Sequence, residues 1–204
     1  MRILLFLGLV AAGLTVRAGE KAADDAARCE FGGIAYFHRW TEKDQHEYTP
    51  KGQEDLERWS DMVTINLHRA AKDGDGLASV ANAVLENYKG AGGRVLRTNS
   101  KPRTDTAPAE HLVVVILPQP TMIEIAFARF VLVDGMGCVV VYSHREYGEK
   151  IGPRVSAWLQ ENGPKIEPQL MEWKTFPTPT ALTALSAQRQ STPKPAGEPA
   201  PSAR

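Results

Sequence analysis

The sequence predicts an α+β domain built on a mainly antiparallel β-sheet with helices covering both faces, and three observations carry that expectation. Between Glu110 and Tyr147 lie three runs rich in Val, Ile and Phe: His111–Leu117, Met122–Val133 and Cys138–His144. They are separated by Pro118 to Pro120 and by the turn Asp134 to Gly137, so they read as consecutive antiparallel strands. The first and third runs lack a polar face, which requires cover on each side of the sheet. Upstream, Leu77, Val80, Ala81, Val84, Leu85 and Tyr88 fall at helical spacing on one seam. Helical segments gather again only after the strands, and segregation of this kind separates α+β from alternating α/β folds.

Taken in order, Glu20 to Arg28 is a loose lead-in rich in Ala, Lys and Asp. Gly33 to Trp40 reads as a first strand and His46 to Pro50 as its return, with Thr41 to Gln45 as the turn. Leu56 to Asp61 reads as one helical turn. In Met62 to His68, apolar Val63, Ile65 and Leu67 alternate with Thr64, Asn66 and His68, the period of a half-buried strand. Asp73 or Asp75 can cap the helix that follows, and Gly90 or Gly92 can end it. Gly93 to Thr98 is a further strand, and Asn99 to Ala109 a longer connection. After Tyr147, Pro153 opens a helix with Val155, Trp158 and Leu159 inward and Asn162-Gly163 as its stop. A short helix bearing Ile166, Leu170 and Trp173 completes the cover.

The two ends differ from this middle. Arg2, the apolar run Ile3 to Val16 and the small residue Ala18 have the make-up of a secretory signal peptide over residues 1–18. Residues 19–32 are then a flexible lead-in, 33–174 a single α+β domain, and 175–204 a Pro/Ala/Ser/Thr-rich disordered tail. That tail holds six of the fourteen prolines, and its composition offers little surface to bury against the cost of ordering. The leader implies an exported chain, periplasmic or secreted, with no transmembrane helix once the leader is removed. Without Arg2 and Arg17 the charge falls to 22 bases against 24 acids, a balance with no general attraction for nucleic acid. In an exported chain Cys29 and Cys138 permit one disulfide, although a buried thiol in a strand is equally ordinary.

The element order, with the helix Leu77 to Tyr88 ahead of a strand and the long hairpin Ile123 to His144, resembles the PsbP-like fold. That fold is shared by an extrinsic photosystem subunit, a Ran-binding release factor and many small bacterial exported proteins. The resemblance covers Ile34 to Trp173. It implies an α/β/α sandwich and an accessory or binding protein rather than an enzyme, with no catalytic constellation to carry over.

The residues themselves assemble no catalytic motif. Ser143 and His144 are strand neighbours and point to opposite faces, and no G-x-S-x-G elbow surrounds the serine. Tyr142 and His144 share one face, Ser143 and Arg145 the other. The five histidines form no zinc spacing, although His46 and Glu47 face His38 across the first hairpin. Asp73 to Gly76 lacks the later ligands of a calcium loop. Arg129 lies among Ile125, Phe127, Val131 and Val133 on one strand face, where it needs an internal carboxylate or else marks an anion site. Trp59 is the tryptophan expected at the surface.

The expected ligand set is therefore Arg129, Tyr142, His144, Arg145 and His111, with no catalytic residue, metal or cofactor assigned. The reading is an exported binding or accessory protein, its partner a protein or a small ligand and not nucleic acid. The alternatives are a small extracytoplasmic hydrolase or an anion or small-molecule carrier built on Arg129 and His144.

Overall fold

The structure, a computed structural model, describes residues 21–191; the leader and residues 192–204 of the tail lie outside them. It is an α+β fold on one eight-stranded antiparallel sheet. The strands are β1 (Arg28–Phe31), β2 (Ile34–Glu42), β3 (Gln45–Pro50), β4 (Asp61–His68), β5 (Arg94–Lys101), β6 (Glu110–Pro118), β7 (Met122–Val133) and β8 (Met136–Tyr147). Helix α1 occupies residues 21–26, α2 runs Gly74–Gly90, α3 Ile151–Glu172 and α4 Pro179–Ser191. Among these described elements no helix is long and apolar enough to cross a membrane.

The sheet order is β1-β2-β3-β4-β8-β7-β6-β5. It is two antiparallel meanders, β1 to β4 and β5 to β8, joined by the single pairing of β4 with β8. That seam runs from Asp61 opposite His144 to His68 opposite Gly137. At its far end Gly137 lies where a Cβ would come within 2.8 Å of the Ala71 Cβ, so the chain leaving β4 can cross close beside β8 only over a glycine.

Alternation sorts the sheet's residues into two cores. Ile125, Phe127 and Val131 of β7 join Val140 and Tyr142 of β8, Val63 and Ile65 of β4, and Val155, Ile166 and Leu170 of α3. The intervening Ala126, Ala128 and Phe130 join Val139, Val141, Val113, Val115 and Leu77 and Ala81 of α2. Each fully buried Val, Leu, Ile or Phe contributes about 1.5–3 kcal/mol. Asp73 caps α2, its carboxylate accepting from the Gly76 N–H at 2.8 Å, which accounts for the aspartates of that loop.

Several expectations need correction. Leu56 to Asp61 forms turns rather than a helical turn, and Asp61 begins β4. The Asn162-Gly163 stop is overridden: α3 continues through Gly163, Pro164 and Pro168 to Glu172, because Ile166 and Leu170 are buried against the sheet. Gly163 sits over the sheet, where an added Cβ would stand 3.2 Å from Leu159 Cδ1 and 3.9 Å from Phe127. Residues 19–32 are no loose lead-in where described, since α1 and β1 bury Ala23, Ala26, Cys29 and Phe31. The tail is ordered as far as Ser191, its Phe176, Leu182 and Leu185 buried in the main core. Cys29 and Cys138 are both buried and free, with burial pushing each thiol up to about 12. Trp59 is buried, not exposed.

Candidate functional site

The site grows from the start of β4. Alternation places Asp61 on the face of Val63, Ile65 and Leu67, the apolar face, and register places it opposite His144. On β8 the same face carries Tyr142. One oxygen of Asp61, Oδ1, accepts from the Tyr142 hydroxyl at 2.7 Å and lies 3.0 Å from His144 Nδ1. Helix α3 lays Trp158 flat on the His144 ring, with centroids 3.9 Å apart and planes within 2°. Trp158 also stacks with Tyr142 at 6.5 Å.

Against this cluster opens a pocket of about 320 Å³, bounded by Phe31, Ile34, Tyr36, Asp61, Tyr142 and Trp158, with Asn162, Lys165 and Gln169 of α3 also lining it. Burial works to raise the Asp61 carboxyl, but hydrogen bonds from His144, Tyr142 and Gln53, with the charge of His144, hold it below the usual carboxylate range. Burial first, then the Asp61 charge, raises the Tyr142 hydroxyl. The pocket thus presents an ionised carboxylate, 24% exposed, between neutral aromatic rings.

Of the five residues expected at a ligand site, the structure brings together Tyr142 and His144 only. Arg129 is buried in an internal clamp. Its Nε and Nη2 reach Glu110 Oε2 at 2.9 and 2.8 Å, and Nη1 donates to the carbonyls of Leu170 and Trp173 at 2.9 and 2.6 Å. The clamp answers the demand of a buried cation and satisfies carbonyls at the C-terminus of α3. Arg145 lies on the opposite face, donating to Glu124 at 2.9 Å and stacked 3.9 Å over the Trp59 ring. That stacking is why Trp59 is covered. His111 sits on the same face as Val113, beside Ser100 Oγ at 3.0 Å. It pairs with Phe130 of β7 while His144 pairs with Ile125, five residues or about 17 Å along the strand.

His144 Nε2 is buried without a hydrogen-bond partner; Glu146 Oε1, at 3.6 Å, is beyond hydrogen-bond reach. The pocket lining carries Tyr36, Asp61, Tyr142 and Lys165 and holds no Ser, Thr or Cys. The Arg129 carrier is corrected on the clamp. Sequence reading missed Asp61, Tyr36 and the pocket role of Trp158. Extending the alternation of Val63, Ile65 and Leu67 back by one step would have put Asp61 on the apolar face, the signal of a carboxylate with partners.

Elsewhere, His38 and His46 meet across the first hairpin, Nε2 to Nδ1 at 3.3 Å. Burial lowers them to about 3 and about 4. Among the described residues no group of three or more metal-ligating side chains converges.

No protein-family model matches the chain, and no curated protein matches it. It is similar to the solved structure of the Ran-binding protein Mog1p of Saccharomyces cerevisiae, with a TM-score of 0.40 and 11% identity over 80% of this chain and 89% of that one. A mutant of protein Mog1 gives a TM-score of 0.37 and 9% identity over 80% and 90%. The first neighbour is named a Ran-binding protein, where the sequence reading expected an exported accessory protein of the PsbP-like fold. The PsbP-like resemblance, the exported location and the secreted or periplasmic accessory role, with the carrier and hydrolase variants, are not carried forward.

Proposed function

We propose that this chain is a protein-binding domain whose pocket between β4, β8 and α3 receives a basic side chain of a protein partner. The observation that carries this reading is the ionised Asp61 carboxylate held inside an open pocket walled by Tyr36, Tyr142 and Trp158. A cation entering beside aromatic rings gains about 0.5–2 kcal/mol from their quadrupoles, and the carboxylate adds a charge-assisted hydrogen bond. Asn162 and Gln169 offer amide groups to the rest of the guest, and the charge of Lys165, also in the lining, is answered by Glu161 at 3.8 Å. Beside the pocket Ile34 is 49% exposed, an apolar rim that suits a protein surface better than a free small molecule.

In this reading Tyr142 is a wall of the ligand site and His144 a positioning residue that orients Asp61. Arg129, Arg145 and His111 stand apart from it. We infer further that α3 covers the sheet on the pocket side and α2 on the other, which keeps the walls rigid before a guest arrives.

The test is an NMR titration of the whole chain with N-acetyl-arginine methylamide against its uncharged citrulline analogue. The arginine probe should shift the Trp158 indole and the Asp61 and Tyr36 amides, and Asp61→Asn should abolish the response. Equal shifts from citrulline, or an unaffected Asp61→Asn variant, would overturn the reading.

A further inference from the structure

The two edges of the sheet are built differently. Strand β1 has four residues with Cys29 and Phe31 buried, a short edge of the kind that discourages pairing. Strand β5 has eight residues, pairs with β6 alone in the sheet order, and is exposed along its length as far as Ser100. Its register with β6 shifts between Val95 and Arg97, and the intervening Leu96 stays 45% exposed. From Arg97 to Lys101 the pairing is regular again.

Leu96 borders an apolar groove of about 260 Å³ between β5 and α3, completed by Val114, Phe127, Leu159 and Pro164, with Arg97 and Glu167 at its polar margin. The charge along this edge has one sign. Arg94 to Thr104 holds four bases and no acid, and Arg94, Arg97 and Lys101 lie opposite Ile116, Val114 and Glu110, on the face that α3 packs against. Glu167 answers Arg97 at 3.5 Å and Glu172 answers Lys101 at 2.6 Å, but Arg97 keeps 63% of its side chain exposed.

We propose that the free edge of β5 takes an acidic, extended peptide segment as a ninth strand, with one apolar side chain of that segment seated in the groove beside Leu96. Main-chain pairing supplies affinity, and the pocket for an alternate side chain supplies selectivity. The partner's acids meet Arg94 and Arg97. A second copy of this chain is a poor occupant, because an antiparallel pairing of two β5 strands sets bases against bases. This edge lies at the opposite end of the sheet order from β1 and β2, and the proposal stands independently of the Asp61 pocket.

The experiment is fluorescence anisotropy on the whole chain with a labelled seven-residue peptide alternating Glu and Val around a central Leu. The comparison peptides replace every Glu by Lys, or methylate alternate backbone nitrogens. Saturable binding at ~100 µM, weakened about tenfold or more by backbone methylation and by Leu96→Glu or Arg97→Gln, is the expected result. Melting curves confirm that these variants fold, and Asp61→Asn should bind the peptide unchanged. The proposal is overturned by absence of saturable binding up to about 1 mM, or by binding indifferent to methylation, which would be loose charge attraction. It is equally overturned if ultracentrifugation shows a dimer that Leu96→Glu dissociates, since the edge would then belong to a second copy.

Discussion

At the scale of single residues, the most consequential side chain away from the pocket is Arg129. It joins Glu110 of β6 to the carbonyls of Leu170 and Trp173, so one guanidinium fastens the sheet to the end of α3. Arg129→Met leaves a carboxylate and two carbonyls without their partner. The loss should be about 3–5 kcal/mol, read as a fall in the urea midpoint at constant m. A variant that keeps wild-type stability would show that the clamp contributes little. The His38–His46 pair makes a different demand. Both folded values lie below the free value of 6.5, so the unfolded chain takes up protons first as pH falls. Stability is then full above about pH 6.5 and declines toward pH 4, with a slope of up to about 1.4 kcal/mol per pH unit for each histidine. Urea titrations across that range should show the decline, and His38→Gln should flatten it. Arg129 was legible from sequence as an arginine that needed either an internal acid or an anionic ligand. Its acid was not, because nothing in a linear chain says that Glu110 returns beside it.

Elements carry the next level. Strands β6, β7 and β8 were plain from period and punctuation, being runs of Val, Ile and Phe between Gly and Pro breaks, whereas β1 lay in a stretch that read as a loose lead-in. Helix ends were less plain. A Gly-Pro step normally stops a helix, yet burial of Ile166 and Leu170 carries α3 across it, and no local rule contains that tertiary gain. The same holds for α4, whose Pro, Ala and Thr composition hides two leucines, Leu182 and Leu185, that are buried almost completely. Ending the chain after Thr178 should therefore destabilise the fold by about 3–6 kcal/mol, the worth of two buried leucines, and increase binding of a hydrophobic dye. A truncated chain as stable as the full one would show that α4 is dispensable. At the junction of β4 and β8, Gly137→Ala forces a Cβ within 2.8 Å of Ala71. The overpacking should cost about 1–3 kcal/mol, checked by thermal denaturation.

For the whole molecule, the fold class could be read from the order of elements, but the sheet order could not. Nothing in β4 announces β8 as its neighbour, and the pocket exists only because that pairing puts Asp61 opposite His144. Topology also sets the kinetics. The β6–β7–β8 meander closes through local hairpins, whereas the β4–β8 pairing must close a long loop, which is slow. Substitutions within the meander, such as Val140→Ala, should lower the folding rate, and Val63→Ala on β4 should mainly raise the unfolding rate. Stopped-flow chevrons distinguish the two, and equal partition of both effects would count against the order of assembly.

The seam has one more consequence. Because a single pair of strands joins the two meanders, the chain can be cut in the linker between α2 and β5 without severing a hairpin. Each fragment would keep its own strand ladder while exposing a seam strand, β4 on one and β8 on the other, and the first would carry α2 away from its seat on β6 and β7. The halves would then behave as complementary parts that report their own reunion, since the Asp61–Tyr142 hydrogen bond and the aromatic-walled pocket come into being only when both are present.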